Sequence, residues 1–186
     1  MFIIKNNYYL YIENTQLINL DGIRNNKKIS IIYRNNRIAE PLKKVQEFRN
    51  KCKRKAFKFY VANDLKLARV CNADGLYLSS YNKNYYYNQN LELIGSAHNF
   101  KEIYQKIKQR CGTIIVSRLF QTNYKNKKSF LGVCRFNLLK QNYYIDLVPL
   151  GGVNSDNLLK VNLVKSSGVC FLSEIKKKPV ISNRLF

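Results

Sequence analysis

The chain has 186 residues, enough for one full hydrophobic core and too few for two comfortable domains. Its 33 Lys+Arg against 11 Asp+Glu give a net charge of +22, but the bases are spread along the chain rather than gathered in one segment, which argues against a dedicated nucleic-acid arm. No apolar run reaches the length of a membrane span, and the five cysteines (Cys52, Cys71, Cys111, Cys134, Cys170) include no CxxC pair, which excludes the usual metal-cluster and disulfide frameworks. The first residues, MFIIKNNYYLYIEN, lack a signal-peptide profile, so a soluble cytoplasmic protein with reduced thiols is expected.

In chain order, residues 8–12 (YYLYI) read as the first strand, and residues 15–23 carry a weak helical period. Residues 29–33 (ISIIY) are the second strand and end in Arg34. Glu40-Pro41 opens a helix with Leu42, Val45 and Phe48 on one face, running into the basic stretch 51–55. Residues 57–62 form the third strand, ending at Asn63-Asp64, and 65–70 a short helix. Asp74-Gly75 leads into a fourth strand at 76–78. Residues 79–90, polar and tyrosine-rich, have no core pattern and read as a loop or frayed helix. The fifth strand is 91–96, and Asn99 caps a helix with Ile103 and Ile107 inside. The sixth strand, 113–116, is followed by a long basic loop at 120–130, a helix at 133–139 and a seventh strand at 143–148. After Gly151-Gly152, Asn154 or Ser155 caps a helix carrying Leu158, Leu159, Val161 and Val164, which Ser167-Gly168 ends. The eighth strand is 169–172, and the tail 176–186 closes the barrel bottom.

Short apolar strands alternating with helices predict a parallel sheet covered by helices. Eight such units favour one α/β domain over 1–186, a (β/α)8 TIM barrel with trimmed loops and helices. There is no GxGxxG and no GxxxxGK[ST], so a dinucleotide or NTP fold has no fingerprint here. In a barrel, polar residues at the C-terminal strand ends share one mouth. That set is Arg34, Asn63, Asp64, Asn82, Ser96, His98, Thr122, Lys125, Gly151-Gly152 and Ser173. It offers anion donors, one carboxylate for a hard cation and few acid–base groups, which suits phosphates and Mg2+ rather than hydride transfer or a Ser-His-Asp hydrolase. His98 reads as a brace for its loop, and Asp64 doubles as an N-cap.

In order along the chain, FYVANDLKLARVCNADGLYLSSYN, LIGSAHNFKEI, VSRLFQTNYKNK, PLGGVNSDN and SSGVCFLSEI resemble successive motifs of the thiamine phosphate synthase/TenI family, over about residues 29 to 175. The resemblance implies a (β/α)8 barrel and a transferase joining hydroxymethylpyrimidine diphosphate to a thiazole phosphate, with loss of pyrophosphate. It implies Arg34 on the pyrophosphate, Asn63 beside the pyrimidine or pyrophosphate, and Asp64 and Asn82 at the Mg2+ positions. Ser96 then contacts the pyrophosphate side, Thr122 and Lys125 lie at the reaction centre, and Gly151, Gly152, Leu172 and Ser173 hold the thiazole phosphate. Small phosphorylated substrates are the expected partners, a homodimer is allowed, and neither membrane nor specific nucleic acid is expected. The chain departs from the pattern at Asn36 (for Lys), Asn82 (for the second Mg2+ aspartate), Tyr77 (for His), Tyr124 (for Thr) and Ser117-Arg118 (for Gly-Pro). Arg118 stands where TenI-type tautomerases have a catalytic His. These departures keep two alternatives open: a TenI-like or non-catalytic thiazole-phosphate binder and, more distantly, a basic nucleic-acid binder.

Overall fold

In the computed structural model, eight parallel strands close into a barrel in sequence order: β1 (Asn7–Ile12), β2 (Ile29–Tyr33), β3 (Lys58–Ala62), β4 (Gly75–Leu78), β5 (Glu92–Ala97), β6 (Thr113–Ser117), β7 (Asp146–Leu150) and β8 (Gly168–Phe171). The structure describes residues 5–35, 40–86, 90–122 and 129–171. The (β/α)8 expectation therefore holds. The helices outside it are α1 (Leu42–Arg54), α2 (Leu65–Val70), α3 (Phe100–Lys108), α4 (Gly132–Gln141) and α5 (Leu158–Asn162), the last preceded by a 3-10 turn. No helix among the described residues is long and apolar enough to cross a membrane.

Period-2 alternation sends every second strand residue inward. The interior holds Tyr9, Tyr11, Ile32, Tyr60, Tyr77, Ile94, Ile115, Val148 and Cys170, while the opposite strand faces pack under the helices. Four of these interior side chains are tyrosines, so the column is filled largely by phenol rings in two tiers. In the lower tier Tyr9 is hydrogen-bonded to Thr113 and Tyr60 to Glu92. Gly75 makes room for the Tyr60 ring: a Cβ there would lie 2.6 Å from its carbons and 2.2 Å from the Glu92 carbonyl. In the upper tier Tyr11 and Tyr77 meet edge to face, centroids 5.5 Å apart at 87°.

The helical expectation for 15–23 fails. That stretch is turns, because Asn14, Asn19 and Asn26 accept hydrogen bonds from the backbone two residues on and Thr15 is held by Glu40 instead. The seventh strand begins later than expected, at Asp146, since Lys140 Nζ gathers the carbonyls of Tyr143 and Ile145 into a turn. The last helix ends at Asn162, well before Ser167. Leu42, Ile107 and Leu159 are exposed rather than inward. On α3 the inward positions are Ile103 and Lys106, because no described residue between β4 and β5 forms a helix and the long Lys106 stem fills that space. Fully buried, Lys106 donates to the Asn82 carbonyl (2.8 Å) and to Gln109 (2.9 Å), while Gln109 holds the Asn82 and Asn84 carbonyls. Burial pushes the Lys106 ammonium below the ordinary lysine range. The tail 176–186 lies outside the described residues.

Burial drives the Tyr9 and Tyr33 phenols up to about 12 and also raises those of Tyr60 and Tyr77. The fold favours the neutral phenol, so this contribution to stability is complete below the unfolded value of 10.0 and is lost as pH climbs from there toward about 12. Base titration followed by phenolate absorbance and circular dichroism should show the interior tyrosines ionising only together with unfolding. Smooth ionisation of all 14 tyrosines near their ordinary value, with helical signal intact, would contradict this packing.

Candidate active site at the barrel mouth

The strands run parallel, so their C-terminal ends open at one rim, and the residues following them form the mouth. Arg34 follows β2 and its side chain bends inward. Its Nη1 donates to the Tyr11 hydroxyl at 2.8 Å, and its guanidinium lies 5.9 Å from the Tyr11 ring and 5.8 Å from the Tyr81 ring. Tyr11 is hydrogen-bonded in turn to Tyr77, and Tyr77 to Ser96 on β5. A chain of polar contacts, Arg34–Tyr11–Tyr77–Ser96, thus crosses the floor of the mouth. Burial raises the Tyr11 phenol, against the opposing effect of its bonds to Tyr77 and Arg34, and so keeps it a neutral partner for the guanidinium.

The β3 and β4 ends are tied together by Asn63. It takes the left-handed conformation (φ 58°), which asparagine tolerates better than most residues. Its Oδ1 accepts from the Ser79 amide and hydroxyl, both at 3.0 Å, and from Asn82 Nδ2 at 3.1 Å, while its Nδ2 donates to the Tyr81 hydroxyl at 3.2 Å. Asn82 is buried, and its Oδ1 accepts from the Asn84 amide at 2.9 Å. Asp64 next door is exposed and caps α2, with Oδ1 accepting from the Leu67 amide at 2.8 Å. His98 turns away from the mouth: its ring nitrogen and its amide both meet Glu102, at 2.9 and 2.7 Å. It lines an apolar cavity of about 330 Å3 between α3 and α4 on the barrel's outside.

Across the barrel, the segment after β6 lies on the turn after β7. Gly151 (φ 101°) and Gly152 (φ 71°) both need the left-handed region, and the Gly151 carbonyl accepts from the Phe120 amide at 3.0 Å. Arg118 Nη1 donates to Thr122 Oγ1 at 2.9 Å.

Of the candidates, Arg34, Asn63, Asn82 and Ser96 are joined through tyrosines and amides on one side. Thr122, Gly151 and Gly152 gather on the other. Lys125, Leu172 and Ser173, like the substituted Asn36 and Tyr124, lie outside the described residues. For Mg2+, the described residues contain no group of three His, Cys, Asp or Glu. The donor set still fits an ion that takes one carboxylate plus substrate phosphate oxygens and waters, since Asp64 commits one oxygen to its cap. Tyr11 and Tyr81 were not singled out from sequence. Alternation along YYLYI could have flagged Tyr11, but every residue of that strand is apolar enough to face either way.

A family model described as thiamine monophosphate synthase matches residues 20–175. A thiamine-phosphate synthase of Prochlorococcus marinus (strain AS9601) is 30% identical over 141 residues, covering 72% of this chain and 40% of that protein. The chain thus spans well under half the length of this curated relative. Among solved structures, a thiamine phosphate pyrophosphorylase from Pyrococcus furiosus superposes with a TM-score of 0.71 at 16% identity, covering 96% of this chain and 94% of that one. Another from Bacteroides thetaiotaomicron gives 0.58 at 15% identity, covering 91% and 83%. At such identities these structural likenesses speak for the fold alone.

Asn63 carries two separable loads, its left-handed backbone and the three bonds its carbonyl accepts. Asn63→Ala should cost roughly 2–4 kcal/mol in urea unfolding, because it strains the backbone and strands the buried Asn82 amide. Asn63→Gly should recover only the backbone part. Equal stability of the Gly variant and the parent would show that the side-chain bonds carry no weight.

Proposed function

The chain belongs to the thiamine monophosphate synthase family, and on that footing we propose that it is a transferase that joins hydroxymethylpyrimidine diphosphate to a thiazole phosphate, yielding thiamine phosphate and pyrophosphate. The family supports a role in thiamine biosynthesis. One observation carries the finer reading: the mouth has two anion-suited walls on opposite strands. Arg34 follows β2, the Gly151-Gly152 turn and Thr122 follow β7 and β6, and in the strand order β2 stands across from β6. Two phosphate-bearing substrates with their reacting carbon and nitrogen between them need such a separation.

In this reading the bond between the pyrimidine methylene and the diphosphate oxygen breaks with its electrons on oxygen. The thiazole nitrogen lone pair then forms the new C–N bond to the methylene cation. Arg34, fixed by Tyr11, meets the growing charge on the leaving diphosphate, which is stabilisation of charge where it develops. Lys125 adds a second cation there, Thr122 stands at the reaction centre, and Asn63 and Ser96 border the pyrimidine side. Gly151, Gly152, Leu172 and Ser173 receive the thiazole phosphate. Asp64 would hold Mg2+, with Asn82 at the second position of the family's pattern, and the ion would supply further neutralisation of the leaving group.

A second reading, a thiazole-phosphate binder without turnover, is favoured by one specific contact set. Both ends of the Asn82 amide are engaged inside the protein, with Asn63 and Asn84. The two readings part in cells lacking a thiamine phosphate synthase. Expression of the chain should restore growth without thiamine, and Lys125→Ala should abolish the rescue. With purified protein, Arg34→Ala should raise the KM for the diphosphate at least tenfold while the thiazole phosphate KM changes little, given the worth of a charge-assisted hydrogen bond. No rescue, together with Mg2+-independent binding of thiazole phosphate in calorimetry, would replace the synthase reading with the binder.

A further inference from the structure

Tyr81 stands apart from the other tyrosines of the mouth. Tyr11 and Tyr77 are buried in the interior column, 6% and 2% exposed, whereas Tyr81, on the loop after β4, is 65% exposed. It is nonetheless anchored. Its hydroxyl accepts from Asn63 Nδ2 at 3.2 Å and has the Ser79 side chain as a second partner, and the Arg34 guanidinium lies 5.8 Å from its ring centroid. A brace for Asn63 needs only the hydroxyl, so these bonds do not account for a ring left in water. An apolar ring that is exposed but already ordered gains by covering its surface and loses little freedom when a flat ligand stacks on it. The anchors also fix where that ligand lies, beside Asn63 and beside the Arg34 cation. In hydroxymethylpyrimidine diphosphate one methylene and one oxygen separate the ring from the diphosphate. A residue that holds the ring must therefore stand close to the cation that meets the diphosphate, as Tyr81 does.

We infer that Tyr81 is a substrate-binding residue whose ring stacks on the pyrimidine of the diphosphate substrate. This role rests on the reading of the Arg34 side as the diphosphate subsite, and it adds a selectivity to that subsite. The mouth prefers a diphosphate carried on a flat heteroaromatic ring to inorganic pyrophosphate, because pyrophosphate offers nothing for the phenol face.

Calorimetry in Mg2+ buffer with hydroxymethylpyrimidine diphosphate and with inorganic pyrophosphate tests this on three proteins: the parent, Tyr81→Leu and Tyr81→Phe. Tyr81→Leu removes the aromatic face, and Tyr81→Phe keeps the face and removes the anchoring hydroxyl. Thermal unfolding of each checks that the fold is kept. The parent should bind the pyrimidine diphosphate more tightly than pyrophosphate. Tyr81→Leu should bind the pyrimidine diphosphate about 5- to 150-fold more weakly, the worth of one base stacked on an aromatic side chain, with pyrophosphate binding unchanged. Tyr81→Phe should stay closer to the parent than to Tyr81→Leu. Equal affinity of the parent and Tyr81→Leu for the pyrimidine diphosphate would overturn the assignment, and so would a Tyr81→Phe as weak as Tyr81→Leu, which assigns the effect to the hydroxyl. Parallel loss of both ligands would also overturn it, marking Tyr81 as a brace for Arg34 and Asn63. A parent that binds both ligands equally leaves the diphosphate subsite standing and removes the stacking role alone. A parent that binds neither removes the diphosphate reading itself and the stacking role with it.

Discussion

The bond from Arg34 to the Tyr11 hydroxyl couples the rim of this barrel to its core. An arginine on a loop after a strand ordinarily waves in solvent, its charge screened and its rotamers many. Here the guanidinium is tethered to a phenol at the top of the interior column and flanked by the Tyr81 ring. Tyr81 is in turn bonded to Asn63, which closes the β3 and β4 ends, and Tyr11 leads through Tyr77 to Ser96. One cation thus sits at the junction of the polar contacts on half of the mouth. Tyr11 and Tyr81 meet it there with phenols rather than carboxylates.

The same logic explains how a short chain keeps a barrel. Large interior phenols fill the column with few residues, and among the described residues no buried side-chain hydroxyl lacks a hydrogen-bond partner. Where a helix would cover the outside between β4 and β5, the buried Lys106 and Gln109 bind backbone carbonyls at Asn82 and Asn84 and fasten the connecting loop directly. That loop also carries Asn82, so the residue that ties the β3 and β4 ends through Asn63 sits on the segment that Lys106 and Gln109 fasten. The net charge of +22 surrounds the mouth, and at low salt it favours the approach of anions at long range.

Much of the fold was legible because it depends on local signals. The Asp64 and Asn99 caps set the starts of α2 and α3 as read, and the short apolar runs gave each strand to within a few residues. What sequence did not yield depends on contacts distant along the chain. Residues 15–23 look weakly helical until Thr15 is seen bonded to Glu40. Ile107 looks inward until Lys106 is seen to take the space beneath the β4–β5 loop. In the site, topology alone puts Arg34, Asn63, Ser96, Thr122 and Gly151-Gly152 at the rim, whereas His98 turns outward to Glu102 and Lys125 and Ser173 lie outside the described residues. The tyrosine floor was missed because an all-apolar strand such as YYLYI does not say which face is inside.

In the proposed function, two phosphate subsites across one barrel serve a single bond-forming reaction. Phosphorus NMR of the purified chain with hydroxymethylpyrimidine diphosphate, thiazole phosphate and Mg2+ tests it most directly. Thiamine phosphate and pyrophosphate should accumulate in equal amounts, and neither should form when either substrate is omitted. A spectrum identical to the protein-free control, or pyrophosphate released without thiazole phosphate present, would contradict it.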